Sequence, residues 1–269
     1  MATAVFQATP QLEPRVFEAI ATMTRELSGI SMNDTKMELV RSRLGKRLSA
    51  LGLPSFRNYL DLVRRDQSER SSMIDALTTN KTSFFRESRH FEVLTQEVLR
   101  GRRGASRLRG WSAACSTGEE PFTIAMLIRE HAREVSDARV LATDISPTVL
   151  TKAKNGDYPA ELLASVPADL RRRHFRPSAE GRMEVAVQTR ALVRFAFLNL
   201  MEEWPVRGPF DFIFCRNVMI YFEKQVQEWL VNRMASLLAP GGILFIGLAE
   251  SLTGLDHPYR FQEPGVYVR

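Results

Sequence analysis

Two segments of this chain end in residues that could do chemistry. The first runs Trp111-Ser112-Ala113-Ala114-Cys115-Ser116-Thr117-Gly118-Glu119-Glu120-Pro121. It reads as a strand, a turn of small residues and the start of a helix. Small side chains and Gly118 let backbone N–H groups approach a ligand closely. Glu119 and Glu120 fall in the first helical turn, where carboxylates suit the helix dipole. A dinucleotide fingerprint needs G-x-G-x-x-G; this turn has one glycine and two acids, which would repel a pyrophosphate. A ligand with a positive amino or sulfonium group fits better, and a capped helix after a strand fits equally well. Asp144 closes the next strand, in Val140-Leu141-Ala142-Thr143-Asp144-Ile145-Ser146. An acid there can accept both ribose hydroxyls, or form a turn before Pro147. It follows Glu120 by 144 − 120 = 24 residues, a spacing that suits one βαβ unit.

The second segment is Phe210-Asp211-Phe212-Ile213-Phe214-Cys215-Arg216-Asn217, with Tyr221 beyond it. An arginine at the end of a buried strand needs an anion. That anion is either a ligand or an internal partner such as Asp211 or a glutamate. Tyr221 fits a reactive site or the core of the next helix. Asn199-Leu200 follows a further strand, and its amide suits an adenine edge or a turn. Arg86, after Phe84-Phe85, could clamp a carboxylate bidentately or lie on the surface. His90, His131, His174 and His257 are scattered without zinc spacing, so no metal is expected. Neither a G-x-S-x-G elbow nor a P-loop is present.

The elements that must position these residues fall into two textures. From about 14 to 77 the pattern is helical, with breaks at Ser28-Gly29 and Gly52-Leu53-Pro54 and caps at Asn33 or Asp34 and at Ser55. Met37, Val40, Leu44, Leu48 and Leu51 recur at spacings of three and four, predicting one buried stripe. Lys36, Arg43, Lys46 and Arg47 fall within about 100° on one flank of that stripe. They form either a solvated face or a docking face for an acidic helical partner. A connector and a helix over about 88–99 follow. Beyond it, strands are expected near 107–113, 139–143, 193–197, 210–214, 243–248 and 265–268, the last two as an antiparallel hairpin. Helices are expected near 119–132, 147–155, 161–165 and 223–238. This alternation predicts a parallel α/β sheet. The stretch 171–194 breaks the rhythm and reads as a β-hairpin insertion around Pro177-Ser178-Ala179-Glu180-Gly181.

The chain has 269 residues, formal net charge +6 and ordinary hydrophobic content of 44%. The positive balance suits acidic partners. Arginines cluster at Arg100, Arg102, Arg103, Arg107 and Arg109 and at Arg171, Arg172, Arg173 and Arg176, without aromatic interleaving, so single-strand base stacking has no support. The longest late apolar run, 243–249, is too short to span a bilayer. Residues 1–15 lack the basic and apolar regions of a signal peptide. Cys115 and Cys215 are expected as reduced thiols.

Taken together, Thr78-Thr79-Asn80-Lys81-Thr82-Ser83-Phe84-Phe85-Arg86, the Trp111–Pro121 turn, Ala142-Thr143-Asp144-Ile145-Ser146, Phe214-Cys215-Arg216-Asn217-Val218-Met219-Ile220-Tyr221-Phe222 and Leu238-Ala239-Pro240-Gly241-Gly242-Ile243-Leu244-Phe245 resemble the bacterial chemotaxis receptor protein-glutamate O-methyltransferases, the CheR family. The resemblance covers nearly the whole chain. It implies an α/β fold, a Rossmann-like class I methyltransferase domain with a small antiparallel, three-stranded β insertion, preceded by a small all-helical domain. The implied divisions are 1–77 for a receptor-docking helical domain, 78–106 for a linker and connecting helix, and 107–269 for the methyltransferase domain with its insertion at about 171–194. Carried over by motif, Asn80, Thr82, Arg86, Glu120, Asp144, Asn199, Leu200, Arg216 and Asn217 would line an S-adenosylmethionine site, with Arg86 and Tyr221 nearest the methyl transfer.

The implied reaction methylates glutamate side chains of chemoreceptors and leaves S-adenosylhomocysteine. The implied partner is the receptor's cytoplasmic helical bundle, which raises the docking reading of Lys36, Arg43, Lys46 and Arg47. The turn Arg176–Arg182 has one glycine, where some relatives carry a glycine-rich loop that holds a receptor C-terminal pentapeptide; such a tether is therefore not expected. A cytoplasmic monomer is expected, with no nucleic acid and no membrane insertion. Two other readings compete: a methyltransferase acting on nucleic acid, supported only by the positive charge, and a non-catalytic cofactor-binding scaffold, which intact Arg86 and Tyr221 argue against.

Overall fold

A computed structural model describes residues 10–100 and 106–269. The chain divides into two compact units, one ending at Thr79 and one running from Asn80 to Arg269.

The first unit is helical. It contains α1 (Pro14–Ser28), a 3₁₀ turn (Asp34–Lys36), α2 (Met37–Leu51), α3 (Phe56–Arg65) and α4 (Gln67–Leu77). Pro14 opens α1, where a missing N–H costs nothing. Gly29 and Gly52 end α1 and α2 at φ values of +75° and +64°, a conformation glycine adopts freely. Ser55 caps α3 through Asn58 N, and Asp66 caps α4 through Ser68 N and Glu69 N. The expected stripe on α2 is narrower than its spacing predicts. Val40, Leu44 and Leu48 are buried, Met37 is half-buried, and Leu51 is exposed at the last position of the helix. Asn33 makes no side-chain cap, because the 3₁₀ turn intervenes before α2.

The second unit opens with the connector and then α5 (Arg89–Val93), which continues as a π-helical turn (Leu94–Leu99). The expected helix over 88–99 is thus present, in two geometries. The α/β part follows as β1 (Arg107–Ser112), α6 (Glu119–His131), β2 (Asp137–Asp144), α7 (Pro147–Asn155), β3 (Asp157–Pro159), a 3₁₀ turn (Ala160–Leu163), α8 (Ala168–His174), β4 (Phe175–Pro177), β5 (Arg182–Val185), α9 (Val187–Arg190), β6 (Val193–Phe197), β7 (Phe210–Cys215), a 3₁₀ turn (Met219–Tyr221), α10 (Lys224–Leu237), β8 (Leu238–Ile246), β9 (Arg260–Glu263) and β10 (Val266–Val268).

Seven strands form one sheet in the order β6-β2-β1-β7-β8-β10-β9. The first five run parallel, and β10 and β9 close the edge antiparallel. The chain leaves β1 toward β2 on one side and later returns to β7 on the other. The strand order therefore reverses between β1 and β7, the place where α/β sheets bind ligands. The core beneath is aromatic: Phe214 stacks on Phe245 with ring centroids 4.2 Å apart. Gly110 pairs with Phe212 across β1 and β7, and a Cβ at Gly110 would lie 2.1 Å from the Phe212 ring. Only glycine lets that ring lie flat on the neighbouring strand.

Several boundaries shift. The insertion has the three strands that the family resemblance implies, in the order β3-β5-β4, and starts at Asp157 rather than 171. Residues 171–174 lie in α8, so of the first β-like run His174 is helical and the strand starts at Phe175; Leu170 and His174 are buried on one helical face. The strand expected at 243–248 begins at Leu238 and ends at Ile246. The antiparallel pairing expected of the last two strands is present, as β8 with β10, and β9, which has too few apolar residues to be read as a strand, adds to it at the edge. Of the basic clusters, Arg102 and Arg103 lie outside the described residues. Arg109 pairs with Asp137, and Arg173 pairs with Glu130 and Asp169. Both cysteines are buried free thiols. No helix among the described residues is long and apolar enough to cross a membrane.

Candidate functional site

The site forms at the carboxyl ends of β1, β2 and β7. After β1 the chain turns sharply: Ala113 N donates to Phe214 O at 2.8 Å and Cys115 N to Thr143 O at 2.9 Å. Ser116 and Gly118 adopt positive φ values of +47° and +99°. A Cβ on Gly118 would lie 2.8 Å from the Tyr158 hydroxyl and 3.0 Å from Ala153 Cβ. The Tyr158 hydroxyl, on β3, also donates to Thr117 O at 2.7 Å. The β insertion thus clamps the turn from outside.

Asp144 sits at the tip of β2. Its carboxylate accepts Ser116 N at 2.8 Å and Ser146 N at 2.9 Å. Those two bonds aim the carboxylate at the turn after β1. Ser146 in turn caps α7 through Val149 N. Ser116 Oγ donates to Asn80 O at 3.1 Å, which brings the connector beside Asp144. Leu198 N donates to Asp144 O, so Asn199 and Leu200 lie next to the same strand end. The Asn199 amide accepts Met201 N and donates to Glu202. That geometry is a turn of its own, one of the two roles its sequence allows.

The strongest electrostatic feature lies between β1 and β7. Arg216 follows β7, and its side chain is 2% exposed. Its guanidinium faces Glu120 at 3.3 Å and Glu87 at 3.1 Å and donates to Arg86 O at 2.5 Å. It also lies 5.4 Å from the centroid of the Phe91 ring. Of the partners its position demanded, Glu87 and Glu120 are present and Asp211 is not; Asp211 accepts Arg109 N instead. Glu120 accepts Ser112 Oγ at 2.7 Å. Burial pushes its carboxyl up, against Arg216 and Ser112, which pull it down. Burial also opposes ionisation of Glu87. There the Arg216 charge and donors from Asn217 and Leu248 prevail and hold the carboxyl below its ordinary value.

Glu87 and Glu250 were not singled out by sequence. Glu87 accepts Asn217 Nδ2 at 3.2 Å and Leu248 N at 3.2 Å. Glu250 accepts Asn217 N at 2.9 Å, Ile220 N at 3.2 Å and Gly247 N at 2.5 Å. It therefore staples the loops after β7 and β8. The available signal was slight: Glu87 follows Arg86 directly, and Glu250 follows an apolar strand.

The remaining expected residues sit less tightly. Arg86 donates to Lys81 O at 2.8 Å, and its side chain stays 37% exposed. Thr82 and Tyr221 are half-buried, and among the described residues neither hydroxyl bonds another member of the set. In the helical unit, Arg43 donates to Leu77 O, Thr78 O and Thr79 Oγ1, and Arg47 binds Glu69. Both arginines are engaged within the unit, while Lys36 and Lys46 are exposed. No cluster of His, Cys, Asp or Glu suited to a metal occurs among the described residues.

A reversed-order α/β sheet, an acid at the tip of β2 and a tight turn carrying buried acids in place of phosphate-binding glycines define an S-adenosylmethionine-dependent methyltransferase. The residues present are compatible with that cofactor: the Asp144 carboxylate at the tip of β2 would accept from ribose hydroxyls, and Glu120 would offer negative charge to a cationic group. Comparison with known proteins extends the assignment. Residues 80–268 match the family described as CheR methyltransferase, SAM binding domain, and residues 15–78 match CheR methyltransferase, all-alpha domain. The chain is 41% identical to chemotaxis protein methyltransferase 2 of Pseudomonas aeruginosa, over 93% of its length and 91% of the relative's. It is 42% identical to a probable chemotaxis protein methyltransferase of Rhizobium etli, over 84% and 89%. It is 40% identical to the chemotaxis protein methyltransferase of Escherichia coli, over 93% and 89%. The chain belongs to the CheR methyltransferase family. It is an S-adenosylmethionine-dependent chemotaxis protein methyltransferase.

Proposed function

We propose that the acceptors are glutamate side chains on the cytoplasmic helical bundle of chemoreceptors, and that the protein works in the cytoplasm as a monomer. Family membership across both units carries this reading. S-adenosylmethionine, when bound, supplies a methyl group on a sulfonium. A glutamate carboxylate is already ionised at neutral pH, with an ordinary pKa of about 4.3, so no general base is needed. The chain's own task is positioning and exclusion of water. Asp144, Asn199 and Leu200 would hold the nucleoside end, and Asn80, Thr82, Glu120, Arg216 and Asn217 the rest of the cofactor. Arg86, half-exposed beside that group, would orient a carboxylate. Tyr221 would donate a hydrogen bond near the acceptor. Lys36 and Lys46 would face an acidic receptor helix, while Arg43 and Arg47 hold the helical unit together. The short turn between β4 and β5 supports a protein that works without a receptor tail.

The test uses methyl-labelled S-adenosylmethionine and cytoplasmic receptor fragments, followed by mild alkali. Label on the receptor that is released as volatile methanol supports glutamate esters. Cofactor binding with no alkali-labile label on any receptor defeats the acceptor assignment. Arg86→Ala with full turnover and unchanged cofactor affinity removes Arg86 from the account, as does Tyr221→Phe at wild-type rate for the Tyr221 hydroxyl.

A further inference from the structure

The Glu87 backbone adopts φ +57°, a left-handed conformation that a residue with a side chain holds only when its surroundings impose it. The surroundings here are the tips of two strands. The carboxylate accepts Leu248 N beyond β8 and Asn217 Nδ2 beyond β7, and it faces the buried Arg216 guanidinium. His90 lies behind it, with Nδ1 at 3.5 Å. One side chain thus joins three segments that are distant in sequence: the connector, the loop after β7 and the loop after β8.

We propose that Glu87 is a positioning residue for the cofactor site, acting through Arg216 and Asn217; the proposal rests on the reading that the cleft beside Glu120 and Asp144 holds S-adenosylmethionine. Arg216 is shared by two carboxylates. While Glu87 holds one side of the guanidinium, Glu120 need not supply all of its counter-charge. Without the Glu87 charge, the guanidinium turns fully to Glu120 and withdraws that carboxylate from a cationic ligand. The same guanidinium donates to Arg86 O, so its displacement also moves the residue expected to face the acceptor. Asn217 is held in parallel: its backbone N–H goes to Glu250 and its side-chain amide to Glu87. A carboxylate that only stabilised the fold would not couple to ligand affinity.

The test is titration calorimetry of the full chain with S-adenosylhomocysteine, together with amide hydrogen exchange on the cofactor-free protein. Glu87→Gln is expected to weaken binding about tenfold, the scale of one charge-assisted hydrogen bond. Exchange at Leu248 and over 80–88 should rise without cofactor. Turnover should fall while the acceptor KM stays within about twofold, since the loss lies in arranging the site rather than in receptor contact. Asn217→Gly, which suits the positive φ at that position, should be non-additive with Glu87→Gln. Should Glu87→Gln fail to fold, Glu87→Asp carries the test, because it keeps the charge and shortens the reach to Leu248 and Asn217. Wild-type affinity and exchange in a folded Glu87 variant, or full additivity with Asn217→Gly, overturns the proposal. A wild-type chain that binds no S-adenosylhomocysteine overturns the cofactor reading and this proposal together. Failure to methylate receptors defeats only the acceptor assignment, because affinity and exchange are read without acceptor.

Discussion

Arg216 and Glu87, 129 residues apart, meet at 3.1 Å and join the connector to the tip of β7. The pair sits where the strand order reverses, and Glu120 faces the same guanidinium from the helix that follows β1. One buried cation between two carboxylates thus fixes the relation between the turn, the connector and the strand end.

Removing the cation should be costly. Arg216→Ala leaves Glu87 and Glu120 facing each other with little solvent. The expected loss is about 3 to 5 kcal/mol, the usual scale for breaking a buried ion pair from one side. Urea unfolding of the variant measures it. A loss below about 1 kcal/mol would mean that water already screens the pair.

Asp144 holds its place through two backbone donors, and its proposed task is to accept from the cofactor. Asp144→Ala should weaken S-adenosylhomocysteine binding by about tenfold to a hundredfold, the range for hydrogen bonds to a charged group. Calorimetry reads the affinity. A parallel melting curve separates this from loss of the Ser116 and Ser146 contacts.

In the helical unit, Glu69 is 5% exposed and accepts Tyr59 Oη at 2.9 Å and Arg47 Nε at 2.9 Å. Burial, followed by the Glu69 carboxylate, pushes the Tyr59 phenol well up. Glu69→Ala should destabilise this unit by roughly 2 to 4 kcal/mol, because it strands a phenol and a guanidinium. Arg43→Ala should also lower its melting point, by releasing the carbonyls of Leu77 and Thr78. A receptor-binding defect at unchanged stability in Arg43→Ala would restore that arginine to the docking face.

Stability should fall on mild acidification, in part through His174. Its Nε2 lies 3.0 Å from a Glu130 carboxylate oxygen and its Nδ1 2.9 Å from Thr189 Oγ1, contacts a neutral ring satisfies by donating at Nε2 and accepting at Nδ1. Burial lowers its pKa, the Glu130 carboxylate opposes that, and the Arg129 and Arg173 charges add to it. Below an unfolded value of about 6.5, the unfolded chain takes up a proton that the folded chain refuses. The contribution is therefore present above that pH and is lost as pH falls through it. Buried carboxyls with raised values, Glu119, Glu120 and Glu250, act in the opposite direction. The measurement is accordingly a comparison: unfolding free energy at pH 7.5 and 5.5 should differ less in His174→Gln than in the wild type.

Much of this protein is written locally. The apolar run Phe210–Cys215, the small-residue turn before Glu119 and the acid closing β2 announce strand ends by themselves, because strand periodicity and helix starts depend on neighbours within a few residues. The helical first unit and the parallel sheet follow from the same short-range patterns, and the joint occurrence of five segments carries the family. Charge placement is different. Nothing near Arg216 in the chain indicates that its partners are Glu87 and Glu120 rather than Asp211. Nothing near Arg43 indicates that it closes the end of α4 rather than facing a receptor. Glu250 reads as one more surface acid until β8 carries it beneath Asn217. The short edge strand β9 beyond β10, with one apolar residue, is likewise invisible locally. These outcomes were decided by the tertiary structure alone: whether an ionised group binds a ligand or a neighbour depends on which groups lose their water together, and that is settled only when segments from 33 to 129 residues apart are packed against one another.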